Sequence, residues 1–531
     1  MKRLFSQKNS LLLLVLLIGF ALRLFMIGNI PGNRAMYVDE LYSGYEAYSL
    51  LHFGTDSHGY VNPVYLSAWG SGQSVMQSLL IVPCMILFGV NSLSVRLPQA
   101  LLGCLTLVAF YFFTKKIRDE RFALVATALL SIMPWHIMMS RWALDCNFLP
   151  AFVLFGALFL VKATEQSKYL LISMLFFGLS LYCYAAAWPV MPLFIGGSLL
   201  YLLKIKMIKP DRFLFGGLGI LACLALPLIL FVCVNSGLME EIRGVISIPR
   251  LYHFRSDELS LSPRVLLRRF SDTILMFKAQ DDGRVSNITP GYGLYYHFSN
   301  ILIILGIGIS CFSLRKEKKY PLEGLVWIWF ICGGILGLFI EVVFNRINLI
   351  HLPIIYFLSV GVFTISERFG EKARYFFVIL FAGSLIGFMS YYATEYDDNV
   401  AKLYQDGAQE AISFAEREWG KKTEEGKESK IYLMDVSPVY AMFYAPVPTD
   451  AFIETVEYDK EGLSRELPMR FTHYDNENTV RSWKEEILIA DCKYTEDDLF
   501  VVSTERSDWI EELKLDGFEI LYFSNVAVAY N

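Results

Sequence analysis

Long apolar runs recur from the N-terminus to about residue 392, separated by short polar or basic stretches. The first run extends from Leu11 to Gly28, interrupted only by Arg23, and is long enough to span a lipid bilayer. Hydropathy predicts about eleven such spans and one ambiguous apolar stretch, Val75–Val90. The predicted spans are 10–28, 97–114, 121–139, 148–163, 169–187, 189–204, 213–235, 298–314, 323–343, 350–366 and 374–392. The pattern therefore predicts a polytopic α-helical membrane protein.

Basic loops indicate which side of the membrane each segment faces. Lys2, Arg3 and Lys8 precede the first span, so the N-terminus is expected in the cytoplasm. If Val75–Val90 does not cross, five later basic loops fall on the same side as the N-terminus, as the positive-inside rule requires. We therefore predict juxtamembrane helices in the first outer loop, including 75–90. The other outer segments are 236–297 and 393–531.

Composition supports a membrane domain followed by a different kind of domain. The chain has 531 residues and is 55% hydrophobic, which is too apolar for a soluble enzyme of this length. Residues 393–531 hold 14 basic and 31 acidic side chains, a net charge of −17, against +12 for residues 1–392. This acidic part alternates strand-like and helix-like stretches and predicts a small extracytoplasmic α/β or α+β domain. Its charge argues against nucleic acid as a partner.

Acidic residues on the predicted outer side are the first candidates for chemistry. Asp39 and Glu40 follow the first span and can deprotonate an acceptor nucleophile. Alternatively, they stabilise the N-terminus of an amphipathic helix. Asp145 lies in a second outer turn, and Arg141, four positions earlier, would share its helical face. A catalytic acid and a structural salt bridge both fit Asp145.

Arginine and aromatic residues on the same side suggest contacts with a lipid-linked sugar. Arg96, Arg141 and Arg346 are candidates for binding a donor phosphate, because arginine recognises phosphate with two hydrogen bonds. Trp69 and Trp142 fit interfacial belts first and sugar stacking second. The histidines show no metal-ligand spacing, so no metal site is predicted. A divalent ion held by the Asp39–Glu40 pair and a phosphate stays an open alternative.

Three stretches together resemble a known family. They are MYVDELYSGYEAYSLLHFGTDSHGYVNPVYL, FGVNSLSVRLPQALLGCLTLVAFYFFTKKI and PWHIMMSRWALDCN. They are similar to the family 39-type glycosyltransferases, which have the GT-C fold and are related to dolichyl-phosphate-mannose protein mannosyltransferases and to the aminoarabinose transferase of lipid A. The resemblance covers roughly residues 5–395. It implies transfer of a sugar from a polyprenyl-phosphate donor on the outer side of the membrane, generally with inversion.

The resemblance also implies roles for individual residues. Asp39 corresponds to the catalytic acid of the first loop, Asp145 to the second external acid, and Arg346 to the late basic residue that faces the lipid phosphate. Where many relatives carry a His-Pro or Lys-Pro element, this chain has Asn62 followed by proline, and His58 is the candidate replacement. The sequence thus looks like a bacterial cell-membrane enzyme with a protein, lipid or cell-wall glycan as acceptor.

Two other functions are compatible with parts of the pattern. A glycan ligase or polymerase using polyprenyl pyrophosphate would also need external arginines and an acid. A transporter or flippase would carry charges in the middle of its spans. The predicted spans are nearly free of charge and the acids lie on outer loops, which disfavours transport.

Overall fold

The structure is a computed structural model that describes residues 7–254, 262–317, 319–459, 466–477 and 494–531. Contacts between residues divide the chain into two compact units. The helical unit comprises Met1–Ile27, Pro98–Ile229 and Arg255–Tyr392. The mixed unit comprises Gly28–Leu97, Leu230–Phe254 and Ala393–Asn531.

Helices account for most of the described residues and are numbered along the chain. They are α1 (Gln7–Leu24), α2 (Val38–Phe53), α3 (Val75–Phe88), α4 (Ser92–Ile117), α5 (Glu120–Ile132), α6 (Pro134–Met139), α7 (Leu149–Ala163), α8 (Tyr169–Ser180), α9 (Met191–Lys204), α10 (Arg212–Asn235), α11 (Pro263–Ala279), α12 (Ser299–Phe312), α13 (Glu323–Phe339), α14 (His351–Phe369), α15 (Glu371–Tyr392), α16 (Glu395–Leu403), α17 (Ala408–Glu424), α18 (Pro438–Tyr444), α19 (Thr449–Thr455) and α20 (Ser507–Leu515).

Each predicted span coincides with helix. In the part of the chain that the structure describes, five helical stretches are long and apolar enough to cross a membrane by length and composition. These are Ser92–Ile117, Asp145–Ala163, Arg212–Asn235, Asn348–Phe369 and Glu371–Glu424. The other predicted spans coincide with shorter helices, so the exact number of crossings stays a prediction.

The span predicted at 121–139 is interrupted rather than continuous. α5 ends at Ile132, and Met133 has extended backbone angles (φ −71°, ψ 130°) before α6 begins at Pro134. The proline ring disfavours a helical conformation in the residue before it, so the helix stops there. The break leads the chain into the turn that carries Asp145.

Two glycines allow close packing within the helical unit. A Cβ atom on Gly306 of α12 would lie 1.8 Å from the carbonyl oxygen of Phe357 in α14. One on Gly361 of α14 would lie 2.3 Å from the carbonyl oxygen of Leu302 in α12. Only glycine fits at this crossing, as is typical of helix pairs packed backbone to backbone in membranes.

The C-terminal part of the mixed unit is built on a mixed sheet. Among the described residues the strand order is β2-β3-β4-β1-β5-β7-β6, with β1 parallel to β4 and β5 and the other pairs antiparallel. The strands are β1 (Ile431–Met434), β2 (Glu457–Asp459), β3 (Leu467–Phe471), β4 (Tyr474–Asp475), β5 (Leu499–Ser503), β6 (Glu519–Phe523) and β7 (Val526–Tyr530). Trp509 of α20 packs with Tyr432 and Phe500 in the core on one face.

The first loop packs with the C-terminal part, which differs from the predicted division at residues 392 and 393. Gly44 of α2 meets the ring of Phe443 in α18, where a Cβ atom would lie 2.4 Å from the ring. The hydroxyl of Tyr45 donates to the carbonyl oxygen of Val447 at 3.0 Å. Pro63 forms a bridge with Ser247. Because α2 is buried on nearly every side, it needs these neighbours to cover it.

Candidate functional site

Asp39 lies in the first turn of α2, in the mixed unit. Tyr37, just before the helix, has extended backbone angles (φ −64°, ψ 145°), and the next carboxylate, Glu40, accepts the Tyr37 amide at 3.1 Å. Glu40 therefore caps the N-terminus of α2, which is the structural alternative that the sequence left open for the acidic pair. The side chain of Asp39 is half-buried, whereas that of Glu40 is fully buried.

Glu40 and Arg96 form a buried ion pair. The Arg96 Nε donates to Glu40 Oε1 at 3.0 Å, and Nη2 donates to Oε2 at 2.9 Å. The same guanidinium donates to the carbonyl oxygens of Pro31 and Ala35, both at 2.9 Å. Both side chains are 0% exposed. Burial and mutual pairing of Glu40 and Arg96 fix the segment before α2. A catalytic Glu40 and a phosphate-binding Arg96 stay predictions.

A second buried acidic group, on the other half of α2, was missed by the sequence analysis. Glu46 accepts the amide of Ser57 at 2.9 Å and its hydroxyl at 2.6 Å. Asp56 accepts the amides of His58 and Tyr60 at 3.0 and 2.9 Å. Aspartate is a typical turn residue because its carboxylate can accept the amides of residues that follow it, so the sequence does indicate a turn at Asp56. Its approach to Glu46 depends on the folding of the loop back onto α2.

His58 joins this cluster to the C-terminal part of the mixed unit. Its Nδ1 lies 3.0 Å from the Ser57 hydroxyl, and its Nε2 lies 3.4 Å from Glu466 Oε2. The hydroxyl of Tyr458 lies 3.5 Å from the same Nε2. His58 thus has one partner in the first loop, Ser57, and two partners 400 and 408 residues later, Tyr458 and Glu466. Its predicted substrate contact stays a prediction.

Burial and neighbouring charge alter the proton affinities of this cluster. Desolvation, followed by the charge of Asp56, raises the pKa of Glu46 to about 7. Desolvation also raises the pKa of Asp56. Desolvation lowers the pKa of His58, but the hydrogen bond to Glu466 and the charges of Asp56 and Glu46 outweigh it, so the net pKa is raised. Because Glu46 is fully buried and bonded to Ser57, it holds the loop rather than reaching a substrate.

Asn62 and Trp69 lie further along the same loop. Asn62 is exposed, has a left-handed φ of 42°, and donates its amide to the Val245 carbonyl at 2.9 Å. Trp69 is half-buried and packs on the ring of Tyr42 with centroids 4.7 Å apart. Both remain candidates for substrate contact.

In the helical unit, Arg141 holds the end of α1. Its Nη1 donates to the carbonyl oxygens of Leu22 and Arg23 at 3.1 and 3.2 Å, and Nη2 donates to that of Phe25 at 2.9 Å. These are carbonyls that a helix leaves unsatisfied at its C-terminus. Arg141 is 2% exposed, and its predicted contact with a donor phosphate stays a prediction.

Asp145 and Trp142 lie in the turn after α6. Asp145 is half-buried, and its Oδ1 accepts the amide of Cys146 at 2.6 Å. Trp142 is 0% exposed, and its predicted stacking on a sugar stays a prediction. The surrounding chain encloses it because the turn folds back onto the helices.

Arg346 lies in the turn between α13 and α14. Its side chain is 22% exposed and pairs with Glu341 at 3.2 Å. Glu341 also lines a cavity of about 680 Å³ between α11 and the end of α13, together with Arg269 and Asp282. Of the three arginines predicted to bind phosphate, Arg346 is the one that reaches a polar, open region.

The described residues, 7–254, 262–317, 319–459, 466–477 and 494–531, contain no group of three or more histidine, cysteine, aspartate or glutamate residues able to hold a metal ion.

A family model described as dolichyl-phosphate-mannose-protein mannosyltransferase matches residues 73–231. This range contains Asp145 but neither Asp39 nor Arg346. No curated protein matches the sequence. Among solved structures, ArnT from Cupriavidus metallidurans bound to undecaprenyl phosphate is 11% identical, with a TM-score of 0.59 over 98% of this chain and 97% of ArnT. Its apo form gives 11% identity and a TM-score of 0.58 over 99% and 98%.

An Archaeoglobus fulgidus oligosaccharyltransferase with a tethered acceptor peptide is 14% identical, with a TM-score of 0.47. The match covers 85% of this chain, which spans 64% of the length of that enzyme. The ArnT structures establish the fold, and the family model supports glycosyltransferase activity. The resemblance to GT-C membrane glycosyltransferases that the sequence indicated is thereby confirmed.

Proposed function

We propose that this protein is a glycosyltransferase of the bacterial cell membrane that moves a single sugar from a polyprenyl-phosphate donor to an acceptor on the extracytoplasmic side, with inversion. The observation that carries the proposal is the placement of Asp39. Asp39 is half-buried in the first turn of α2, and the carboxylate of the next residue, Glu40, is paired with Arg96. A base must be reachable and held in place, and this position supports the assignment of Asp39 as the base.

The proposed reaction is a direct displacement at the anomeric carbon. The Asp39 carboxylate takes the proton of the acceptor hydroxyl or amine while the acceptor atom bonds to the anomeric carbon. The bond from that carbon to the phosphate oxygen breaks, and polyprenyl phosphate leaves with the electron pair. Arg346 is assigned to the leaving phosphate, because a guanidinium stabilises the developing negative charge. Asp145 is assigned to orienting sugar hydroxyls.

Packing within the mixed unit supports the proposed topology. With eleven crossings, residues 28–97, 230–254 and 393–531 all fall on the side opposite the N-terminus. An additional crossing at α3 would separate α2 from the other two segments. Yet α2 packs against α18, and Pro63 pairs with Ser247. α3 also packs on α2, with the Ser78 hydroxyl donating to the Ser43 carbonyl at 3.0 Å. The side that these segments face is tested by labelling single cysteines beside Asp39 and Asp145 in intact cells.

The activity is tested with detergent-solubilised protein and a synthetic polyprenyl-phosphate sugar. We expect sugar release or transfer by the native protein and a loss of about 10²–10⁴-fold in Asp39→Asn, because the amide cannot accept the proton. Asp450→Asn, an exposed aspartate in α19 of the same unit, is the matched control and should retain full activity. Full activity in Asp39→Asn would refute the mechanism. A preference for a pyrophosphate donor would instead indicate the ligase or polymerase alternative.

A further inference from the structure

The segment that leads into α2 is held by residues from the C-terminal part of the mixed unit. Asp397 of α16 accepts the amide of Gly32 at 2.5 Å. Tyr440 of α18 places its hydroxyl 3.1 Å from the carbonyl oxygen of Met36. These bonds are to backbone atoms, so they fix the path of the chain just before the first turn of α2.

Tyr440 makes a second bond that reaches the same place from another side. Its hydroxyl lies 2.8 Å from the carbonyl oxygen of Tyr404, so one proton is shared between two acceptors. The ring of Tyr404 meets the ring of Tyr37 edge to face, with centroids 5.1 Å apart. Tyr440 is 2% exposed, which excludes contact with a substrate. The buried Tyr440 hydroxyl therefore contacts Met36 directly, and it contacts Tyr37 indirectly, through Tyr404.

The linked residues are the two that precede Asp39 by three and two positions. Movement of either rotates the first turn of α2 and displaces the Asp39 carboxylate. Displacements near 1 Å in a reacting group can cost about 100-fold in rate. Arg96 holds the same segment through the carbonyl oxygens of Pro31 and Ala35. The Met36 carbonyl is the point nearest to Asp39 at which a hydrogen bond from the C-terminal part is described.

We propose that Tyr440 is a positioning residue for Asp39, and that residues 393–531 are consequently part of the catalytic apparatus rather than an appended module. The inference rests on the proposed function only in naming Asp39 as the base. The effect of Tyr440 on the stability of residues 31–41 can be tested without any assay of activity.

The test is Tyr440→Phe in the full-length protein, because it removes one oxygen and keeps the ring. Hydrogen exchange should accelerate at least several-fold in peptides covering 31–41 and stay unchanged in those covering 75–88. Transfer from the synthetic polyprenyl-phosphate sugar should fall about tenfold in kcat, with the KM for the donor unchanged. Tyr522→Phe, which alters an exposed hydroxyl on β6, should change neither quantity.

The outcomes separate this inference from the proposed function. Unchanged exchange at 31–41 and unchanged kcat in Tyr440→Phe, with Asp39→Asn inactive, would overturn the positioning role alone. Activity in Asp39→Asn would refute the proposed mechanism, while the exchange result would still decide whether Tyr440 holds the segment. If Tyr440→Phe does not fold, Tyr404→Leu removes the contact with Tyr37 and should give the same local acceleration; an unchanged result there would overturn the proposal.

Discussion

The end of α1 in the helical unit and the start of α2 in the mixed unit use arginine in the same way but with different partners. Arg141 donates to three carbonyl oxygens at the end of α1 and is 2% exposed. Arg96 donates to two carbonyl oxygens before α2 and also to both oxygens of Glu40. Both guanidinium groups are buried, so the comparison is between their partners. Removing Arg141 takes the donor from three backbone carbonyl oxygens, and removing Arg96 leaves the carboxylate of Glu40 buried.

The largest effect is expected for Arg96→Ala. It leaves Glu40 buried and uncompensated, so we expect a loss of about 3–5 kcal/mol in the stability of the mixed unit. The measurement is thermal unfolding in detergent, with limited proteolysis of the mixed unit. The double variant Arg96→Met with Glu40→Leu should recover most of the loss, because both charges are gone. A double variant as unstable as Arg96→Ala would show that the carbonyl contacts, not the ion pair, dominate.

Arg141→Leu tests the other member of the comparison. Three carbonyl oxygens at the end of α1 lose their donor, so a loss of about 1–3 kcal/mol is expected, smaller than that for Arg96→Ala. Thermal unfolding of the purified protein measures it. Arg212→Leu, at the first residue of α10, provides a surface arginine as control and should have little effect. An Arg141→Leu loss of stability equal to that of Arg96→Ala would contradict the expected order of the two variants.

Gly44→Ala tests whether the mixed unit depends on the contact between α2 and α18. The added Cβ atom would lie 2.4 Å from the Phe443 ring, so one helix must shift, and we expect a cost of about 1–3 kcal/mol. Gly420→Ala in α17, where nothing lies within 4 Å, is the matched control and should be neutral or stabilising. Unfolding curves of the two variants decide. Equal stability would mean that the contact is looser than the structure indicates.

The smallest effect is expected from pH. The pKa of Glu46 is raised from 4.5 to about 7, so the folded state binds a proton more readily than the unfolded state. The mixed unit should therefore become more stable as pH falls from 8 to 5. The raised pKa of Asp56 and of His58 acts in the same direction. The cluster of Glu46, Asp56 and His58 is also faced by three further titratable groups, Tyr42, Tyr458 and Glu466.

Melting temperatures across this range provide the check, and Glu46→Gln should flatten the dependence. A melting temperature that rises from pH 5 to pH 8 in the native protein would contradict the assigned pKa directions.

The candidate acids are more exposed than two of the candidate arginines. Asp39 and Asp145 are both half-buried, with Asp39 in the first turn of α2 and Asp145 in the turn before α7. By contrast, Arg96 and Arg141 were assigned by residue type, which does not distinguish a ligand from a buried donor. The break at Met133 was also missed, although Pro134 was a visible signal for it.

The cluster of Glu46, Asp56 and His58 shows why part of the candidate site could not be predicted from the sequence. Glu46 and Asp56 are close in the chain, but their raised pKa values arise first from burial, which their spacing in the sequence does not reveal. His58 and Glu466 are 408 positions apart and meet at 3.4 Å. Local periodicity predicts that α2 is a helix, and not that distant segments bury nearly every side of it.

The sequence by itself determined the helical membrane architecture and the resemblance to GT-C glycosyltransferases. These follow from summed local hydrophobicity and from short motifs, which need no knowledge of distant neighbours. Only the tertiary structure decided that Arg96 neutralises Glu40, that Arg141 caps α1, and that the C-terminal part packs on α2. Ionic and hydrogen-bonding partners are set by distance and burial, and both arise only once remote segments meet.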